Sequence, residues 1–348
     1  MKILLFISKL YGGGAERVAS ILLNHLSQKH SVTAAIFDAN KKSYPINSKV
    51  EIINLSEGKN LNPYQLNRIV KCRRTIKTLS PDLIISFLVG MSRFVVISNL
   101  FINKNLILSE RTSIQAKQPL WQWLTRRLLY PIATKVVFVS ESDYNYAKWL
   151  SNKTFIYNPL SCDTIFCNNI AREKVIVSIG AQSRWQVKGF DMLVRAWAKI
   201  APLHPSWKLQ FIGETDDSHI KQLSESLGIE NQVDFLGWTD DIAAALQTKS
   251  IYALSSRLEG FPNSLIEAMS QGCACVAFSC KTGPDEIITD GISGLLARNG
   301  DTDDIAAKLQ LLIEDENLRK RLSVGATDEV KRFEMKKIMQ QWDLLIES

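Results

Sequence analysis

The chain opens on an apolar run, "KILLFIS", and after a glycine cluster carries apolar residues at Val18, Ile21, Leu22 and Leu26. A short apolar run bounded by turn residues predicts a strand, and recurrence every three or four residues predicts a helix with one apolar face. "SVTAAIF" then reads as a second strand, giving a βαβ unit and hence a parallel sheet. "DLIISFL", "NLILSE" and "KVVFVS" continue the pattern, separated by helical stretches. It then restarts. "KVIVSIG", "KLQFIGE", "QVDFLG", "SIYALSS" and "CACVAFS" read as strands, while "FDMLVRAWAKIAP", "HIKQLSESLG", "DIAAALQTK" and residues 264–271 read as helices. The prediction is α/β: two doubly wound domains, over 1–165 and 166–332, facing across a cleft where open sheets place ligands. A last helix, over 333–348, is expected to pack back on the first domain.

Length and charge sharpen this picture. At 348 residues the chain exceeds one ordinary core and suits two. With 46% hydrophobic and 22% charged residues it has the composition of a soluble globular protein. The net charge of +7 is unevenly placed: residues 1–170 hold 22 Lys+Arg against 9 Asp+Glu, and the remainder holds 20 against 26. A basic first half implies something anionic as its partner. No nucleic-acid motif accompanies it, so a membrane surface is the better fit and nucleic acid is not expected. Ile3 to Ile7 is too short for a signal-peptide core, and Arg93 interrupts the one span-like stretch, Leu83 to Phe101. Six cysteines show no Cys-x-x-Cys pair, and three of them fall in the strand "GCACVAFSC" as small hydrophobes. A cytoplasmic, reduced setting is expected.

Two stretches carry candidate chemistry. "LYGGGAERV" puts Gly12, Gly13 and Gly14 between a strand and a helix, a place where backbone approaches a ligand closely or simply turns tightly. A dinucleotide fingerprint competes: Asp38 ends the second strand, but Arg17 stands where its third glycine belongs. The second stretch is "SSRLEGFPNSLIEAMSQG", residues 255–272. Glu259 lies ahead of a compact Gly260-Phe261-Pro262-Asn263 turn, and Ser264 is read as opening a helix whose free N–H groups suit an anion. Glu267 fits either a capping box with Ser264 or a ligand contact. Glu259, before the turn, has no capping role; a carboxylate there suits sugar hydroxyls.

Glu259 and Glu267, with seven residues between them inside "EGFPNSLIEAMSQG", resemble the Glu-x7-Glu motif of family 4 glycosyltransferases, retaining enzymes of the two-Rossmann GT-B fold. "GGGAERV", "SERT", "LWQWLTRRLLYP", "VKGFDMLVRAW", "VDFLGWTDDI" and "TGPDEIITDGISGLL" agree in order along nearly the whole chain, and are similar to bacterial exopolysaccharide and O-antigen transferases of the amylovoran galactosyltransferase type. The resemblance implies that Glu259 contacts donor-sugar hydroxyls and that Glu267 holds the nucleotide ribose. It implies that Gly180, Gly260, Phe261, Pro262, Asn263, Ser264 and Leu265 frame the donor. Lys188 matches the family lysine that neutralises the diphosphate; the partner arginine is absent at Ala181, and Arg184 is its expected substitute. Gly13, Gly14, Arg17, Glu110 and Arg111 fall on the acceptor side, where Glu110 and Arg111 are read either as sugar contacts or as an internal ion pair.

The implied donor is a UDP-sugar, UDP-galactose or UDP-N-acetylgalactosamine, and the implied acceptor is a polyprenyl-diphosphate-linked saccharide. The sugar nucleotide is a substrate, and neither a cofactor nor a metal is expected, because cations and helix N–H groups can stabilise a leaving diphosphate. A non-catalytic partner subunit and a nucleotide-sugar epimerase are the alternatives. "RIVKCRRTIK" (Arg68, Lys71, Arg73, Arg74, Lys77) and "PLWQWLTRRLLYP" (with Arg126 and Arg127) are basic and partly aromatic. Such segments suit an anionic bilayer, at the inner face of a bacterial inner membrane, or else a solvated helix face and core packing.

Overall fold

The computed structural model describes residues 1–39, 44–56, 65–164, 171–213 and 218–348. The chain divides into two compact units, residues 1–158 with 338–348, and residues 159–337. The division thus falls at Asn158–Pro159, ahead of the 165/166 boundary read from the sequence, and the chain returns to the first unit at Ile338. Residues 165–170, including Cys167, lie outside the described residues.

The first unit runs β1 (Lys2–Ile7), α1 (Gly14–Leu26), β2 (Ser31–Ile36), β3 (Val50–Asn54), α2 (Gln65–Leu79), β4 (Leu83–Phe87), α3 (Val89–Asn99), β5 (Asn105–Glu110), α4 (Leu120–Leu124), β6 (Lys135–Phe138), α5 (Glu141–Tyr146) and β7 (Lys153–Phe155). All its strands pair in parallel in the order β3-β2-β1-β4-β5-β6-β7. The central strands are buried on both faces, as helices on each side of a parallel sheet require, so they read as continuous apolar runs. The edge strands β3 and β7 were missed in the sequence because an edge is half exposed and "VEIIN" and "KTF" lack such a run. Trp342 of the last helix is fully buried in this unit, and Asp343 beside it pairs with His25 (2.8 Å) and Lys29 (2.9 Å) of α1 and its exit.

The second unit runs β8 (Glu173–Ile179), α6 (Trp185–Lys188), α7 (Phe190–Ile200), β9 (Lys208–Ile212), α8 (Ser218–Ser226), β10 (Val233–Gly237), α9 (Ile242–Gln247), β11 (Lys249–Leu254), α10 (Asn263–Ser270), β12 (Ala274–Ser279), α11 (Pro284–Ile287), β13 (Leu295–Arg298), α12 (Thr302–Glu314) and α13 (Glu316–Glu329). α14 (Met335–Glu347) carries the chain back to the first unit. Its sheet is parallel, in the order β10-β9-β8-β11-β12-β13. α7 packs Phe190, Leu193, Val194 and Trp197 into the core with Phe211 of β9, which fixes where the loop after β8 must end. Strand order reverses between β8 and β11, and the carboxyl ends at such a reversal leave a crevice for ligands. No helix among the described residues is long and apolar enough to cross a membrane.

Candidate active site

The two loops leaving β8 and β11 meet at this reversal. Lys188 ends α6 and Glu259 follows β11, and their side chains join as Nζ to Oε1 at 2.9 Å. Both are largely shielded, at 17% and 12% exposure, and Ser256 Oγ donates to the same carboxylate oxygen at 2.6 Å. The Thr282 hydroxyl donates to the Glu259 carbonyl, fixing the backbone from the other side. The close approach depends on Gly189: its φ is +64°, and a Cβ there would lie 1.9 Å from the Ser255 carbonyl oxygen. Gly180, at the end of β8, has a similar use. A side chain at that position would crowd the Lys188 stem at 3.2 Å and Phe190 at 3.1 Å.

The Gly260-Phe261-Pro262 turn is packed. Phe261 lies edge-on to Phe333 at 5.3 Å, and Pro262 closes against Gly283, where a Cβ would come within 2.6 Å of its ring. Pro262 is the N-cap of α10 and Asn263 its first residue, so the predicted start at Ser264 is corrected by one position, and the capping box does not form. Ser264 Oγ instead accepts from the Tyr252 hydroxyl at 2.7 Å, a phenol that burial pushes well above its usual range. The buried Glu267 accepts from Ser161 Oγ at 2.7 Å. Leu265 is fully buried and its N–H is bonded to the Pro262 carbonyl, so it frames the turn rather than presenting a group to a ligand. Arg184, by contrast, is exposed at the N-cap of α6.

The expectation of no metal rests in part on the chain lacking an Asp-x-Asp motif, and that is corrected: Asp301-Thr302-Asp303 is such a triplet. Asp301 accepts from the N–H groups of Asp303 and Asp304 at 3.0 Å each and caps α12, while Asp303 pairs with Lys199. Among the described residues no group of three or more His, Cys, Asp or Glu side chains gathers as a metal site.

In the first unit the glycine loop follows β1 at that sheet's own reversal, between β1 and β4. Gly13 is the N-cap of α1, and a Cβ there would strike Glu16 Oε2 at 2.2 Å; its carbonyl accepts from the Arg17 N–H at 3.1 Å. Asp38 bonds to the Tyr11 hydroxyl, so the carboxylate weighed as a ribose ligand is tied to the loop itself.

Glu110 and Arg111 do not pair with each other. Glu110 is buried and bonds Arg126 Nε (2.9 Å), the Tyr130 hydroxyl (2.6 Å) and the Thr112 hydroxyl (2.6 Å). Burial alone would raise its pKa, but Arg126 and these donors hold it below the usual carboxylate range. Arg111 donates to Ser109 Oγ, the Ile156 carbonyl and Asn158 Oδ1, and lies over the rings of Phe87 and Trp342, 5.5 Å from each. Burial pulls its pKa down to about 9, and its buried Nη2 has no hydrogen-bond partner among the described residues.

The basic segments are likewise redistributed. Arg126 is buried in the Glu110 pair and is not a surface cation. Arg73 donates to the Ser98 and Leu100 carbonyls, Lys71 to the Leu55 carbonyl, and Arg68 stacks on Phe37 and Phe94, so the five cations of α2 do not form one free face. Arg74, Lys77 and Arg127 remain exposed. Beside Arg127, the exposed apolar residues Leu120, Trp121, Trp123, Leu124, Leu128 and Ile132 crowd into a single short stretch.

Residues 165–328 match the family described as glycosyl transferases group 1. The whole chain is similar to the Campylobacter jejuni GalNAc-alpha-(1->4)-GalNAc-alpha-(1->3)-diNAcBac-PP-undecaprenol alpha-1,4-N-acetyl-D-galactosaminyltransferase, at 29% identity over 99% of this chain and 98% of that protein. It is also similar to the amylovoran biosynthesis glycosyltransferase AmsD of Erwinia amylovora, at 27% identity over 95% of each. Among solved structures, Anabaena HepE in complex with UDP and glucose superposes with a TM-score of 0.82 at 20% identity, covering 100% of this chain and 99% of that one. The fold is therefore the two-Rossmann GT-B architecture.

Proposed function

We propose that this chain, a glycosyltransferase of the group 1 type through residues 165–328, moves a hexose or N-acetylhexosamine from a UDP-sugar to a lipid-linked saccharide in surface-polysaccharide synthesis. The observation that carries this is the Lys188–Glu259 pair, held 2.9 Å apart at the β8/β11 reversal, with the α10 N-terminus and Glu267 on the same loop-helix. A nucleotide sugar presents a diphosphate and a ring of hydroxyls side by side, and the pair matches both. Lys188 turns to the diphosphate, joined by Arg184 from the exposed turn, and Glu259, released from the lysine, accepts from sugar hydroxyls. Glu267 is left for the ribose hydroxyls.

In the reaction the bond from the anomeric carbon to the diphosphate oxygen breaks with its electron pair going to UDP, an acceptor hydroxyl oxygen bonds to that carbon, and the hydroxyl proton passes to the departing diphosphate oxygen. Fixed cations and helix N–H groups stabilise the charge as it grows on the leaving group, which is how such a site works without a metal. Retention of configuration at the transferred carbon completes the reading. The C. jejuni relative's undecaprenol-linked acceptor supports a polyprenyl-diphosphate acceptor here. The exposed apolar stretch 120–132 with Arg127 supports peripheral contact with an anionic bilayer from the inner face of the membrane. The test is a turnover screen of UDP-sugars against undecaprenyl-diphosphate-linked saccharides. Transfer with one UDP-hexose or UDP-N-acetylhexosamine is expected; interconversion of the sugar without an acceptor, or no reaction with any donor, would overturn the proposal.

A further inference from the structure

Neither Lys188 nor Glu259 is positioned by its own element alone. Two residues of the loop after β11, Ser255 and Arg257, grip the backbone that carries Lys188 through three hydrogen bonds. Ser255 Oγ donates to the Lys188 carbonyl at 2.9 Å, the Arg257 N–H donates to the Val187 carbonyl at 2.9 Å, and Arg257 Nη1 donates to the Gln186 carbonyl at 2.5 Å. The same guanidinium then forks onto Asp191 in the first turn of α7, with Nη1 to Oδ1 and Nη2 to Oδ2 both at 2.7 Å. Asp191 therefore anchors the Arg257 loop to a helix whose neighbouring residues, Phe190, Met192 and Leu193, are core. Arg257 lies two residues before Glu259, and Asp191 three after Lys188, so the fork spans the pair from outside it.

We infer that Arg257 and Asp191 are positioning residues for the donor site, setting the separation of Lys188 and Glu259 without touching the donor. This rests on the reading of those two residues as donor-binding. Arg257 is well exposed, at 42% for its side chain, and exposed ion pairs contribute little to stability as a class, a two-point fork such as this one contributing the most among them. A planar fork of two parallel bonds contributes direction, which a lysine cannot reproduce. Misplacement of a reacting group by about 1 Å can cost on the order of a hundredfold in rate, so this contact matters more to turnover than to folding.

The test uses the full chain with Arg257→Ala, Arg257→Lys, Asp191→Ala and the exchanged pair Asp191→Arg with Arg257→Asp. With a donor found by the screen above, Arg257→Ala and Asp191→Ala should each lower kcat/KM at least tenfold with little change in melting temperature. Arg257→Lys should stay impaired, and the exchanged pair should recover part of the loss. In a Lys188→Ala background, Arg257→Ala should cost clearly less than it does alone, because one of the two groups whose separation it sets is already gone. A loss of the same size in both backgrounds, or full activity of Arg257→Ala, would overturn the inference. A second readout needs no turnover: crystal structures of the wild type and Arg257→Ala. Opening of the Lys188–Glu259 contact beyond about 4 Å, the limit for an ion pair, supports the clamp, and an unchanged contact refutes it. Failure of the donor screen counts against the function, whereas failure of this geometric comparison counts against the clamp alone.

Discussion

Glu110 pairs with Arg126, sixteen residues away, and not with its neighbour Arg111. The physical reason is the strand that delivers them: consecutive residues at the end of β5 point to opposite faces, so one sequence neighbour enters the Arg126–Tyr130 network and the other the Phe87–Trp342 sandwich. Removing one partner of a buried pair strands the other charge, so Arg126→Met should destabilise the protein by about 3–5 kcal/mol. The pH dependence should also reverse. In the wild type the depressed pKa of Glu110 contributes stability that is present above the ordinary carboxylate range and lost as pH falls through the folded value. In Arg126→Met burial is opposed only by the Thr112 and Tyr130 hydroxyls, so the pKa should rise and stability should instead fall with rising pH. Urea unfolding of both proteins across the acid-to-neutral range measures this, and parallel profiles would refute it.

Asp143 is a second legible titration. Burial pushes its carboxyl up to about 6, against hydrogen bonds from Gln115, the Ile114 N–H and Ser113 that act the other way. A folded pKa above the unfolded one means that its contribution to stability is full below the ordinary aspartate range and is lost as pH rises through about 6. Its carboxyl carbon chemical shift, followed by NMR, should have a midpoint near that value; a midpoint in the usual range for aspartate would show the site to be open to water.

At the candidate active site, Glu259→Ala should lower turnover at least about a hundredfold, the scale expected when a group poised at a reacting centre is removed. Its far-UV circular dichroism should not change, since the residue lies in a loop and its ion pair is not part of the core. A variant of near wild-type turnover would sink the role of Glu259.

Lys188 and Arg184 make a different prediction, one about UDP and not the sugar. Charge-assisted hydrogen bonds to phosphate contribute about 1.5–3 kcal/mol each, so each alanine variant should weaken UDP by roughly ten- to a hundredfold in calorimetry. The Lys188 loss should be partly offset by release of Glu259 from its pair. If Arg184→Ala binds UDP as the wild type does, the missing arginine at position 181 has no substitute there.

Membrane contact should now be tested on residues that are exposed, with Arg126 left alone. Changing Trp123, Leu124 and Leu128 to Ser, or Arg74, Lys77 and Arg127 to Glu, should release the protein from anionic vesicles in sedimentation while sparing UDP affinity. Binding by the wild type should weaken with salt, since surface charges act within a Debye length of about 8 Å at physiological ionic strength. Wild-type protein that ignores phosphatidylglycerol vesicles at low salt would end the proposal.

By itself the sequence determined the architecture, because central parallel strands must be apolar on both faces and their helices must be apolar on one; that signal is local and repeats. A tight turn and a helix start, both short-range patterns, also marked Glu259 and Glu267 as candidates, whereas Lys188 was implied only by the family resemblance. Edge strands β3, β7 and β13 left no such signal, because part of each faces water. What only the tertiary structure decided were the partners. Lys188 meets Glu259 across 71 residues, Ser161 meets Glu267 across 106, and Arg257 meets Asp191 across 66. Arg126, read as a surface cation, is drawn inside by a carboxylate that burial would otherwise penalise. The period of a strand or helix fixes which way a side chain faces, but its partner depends on which elements the fold makes neighbours, and that is a property of the packed chain.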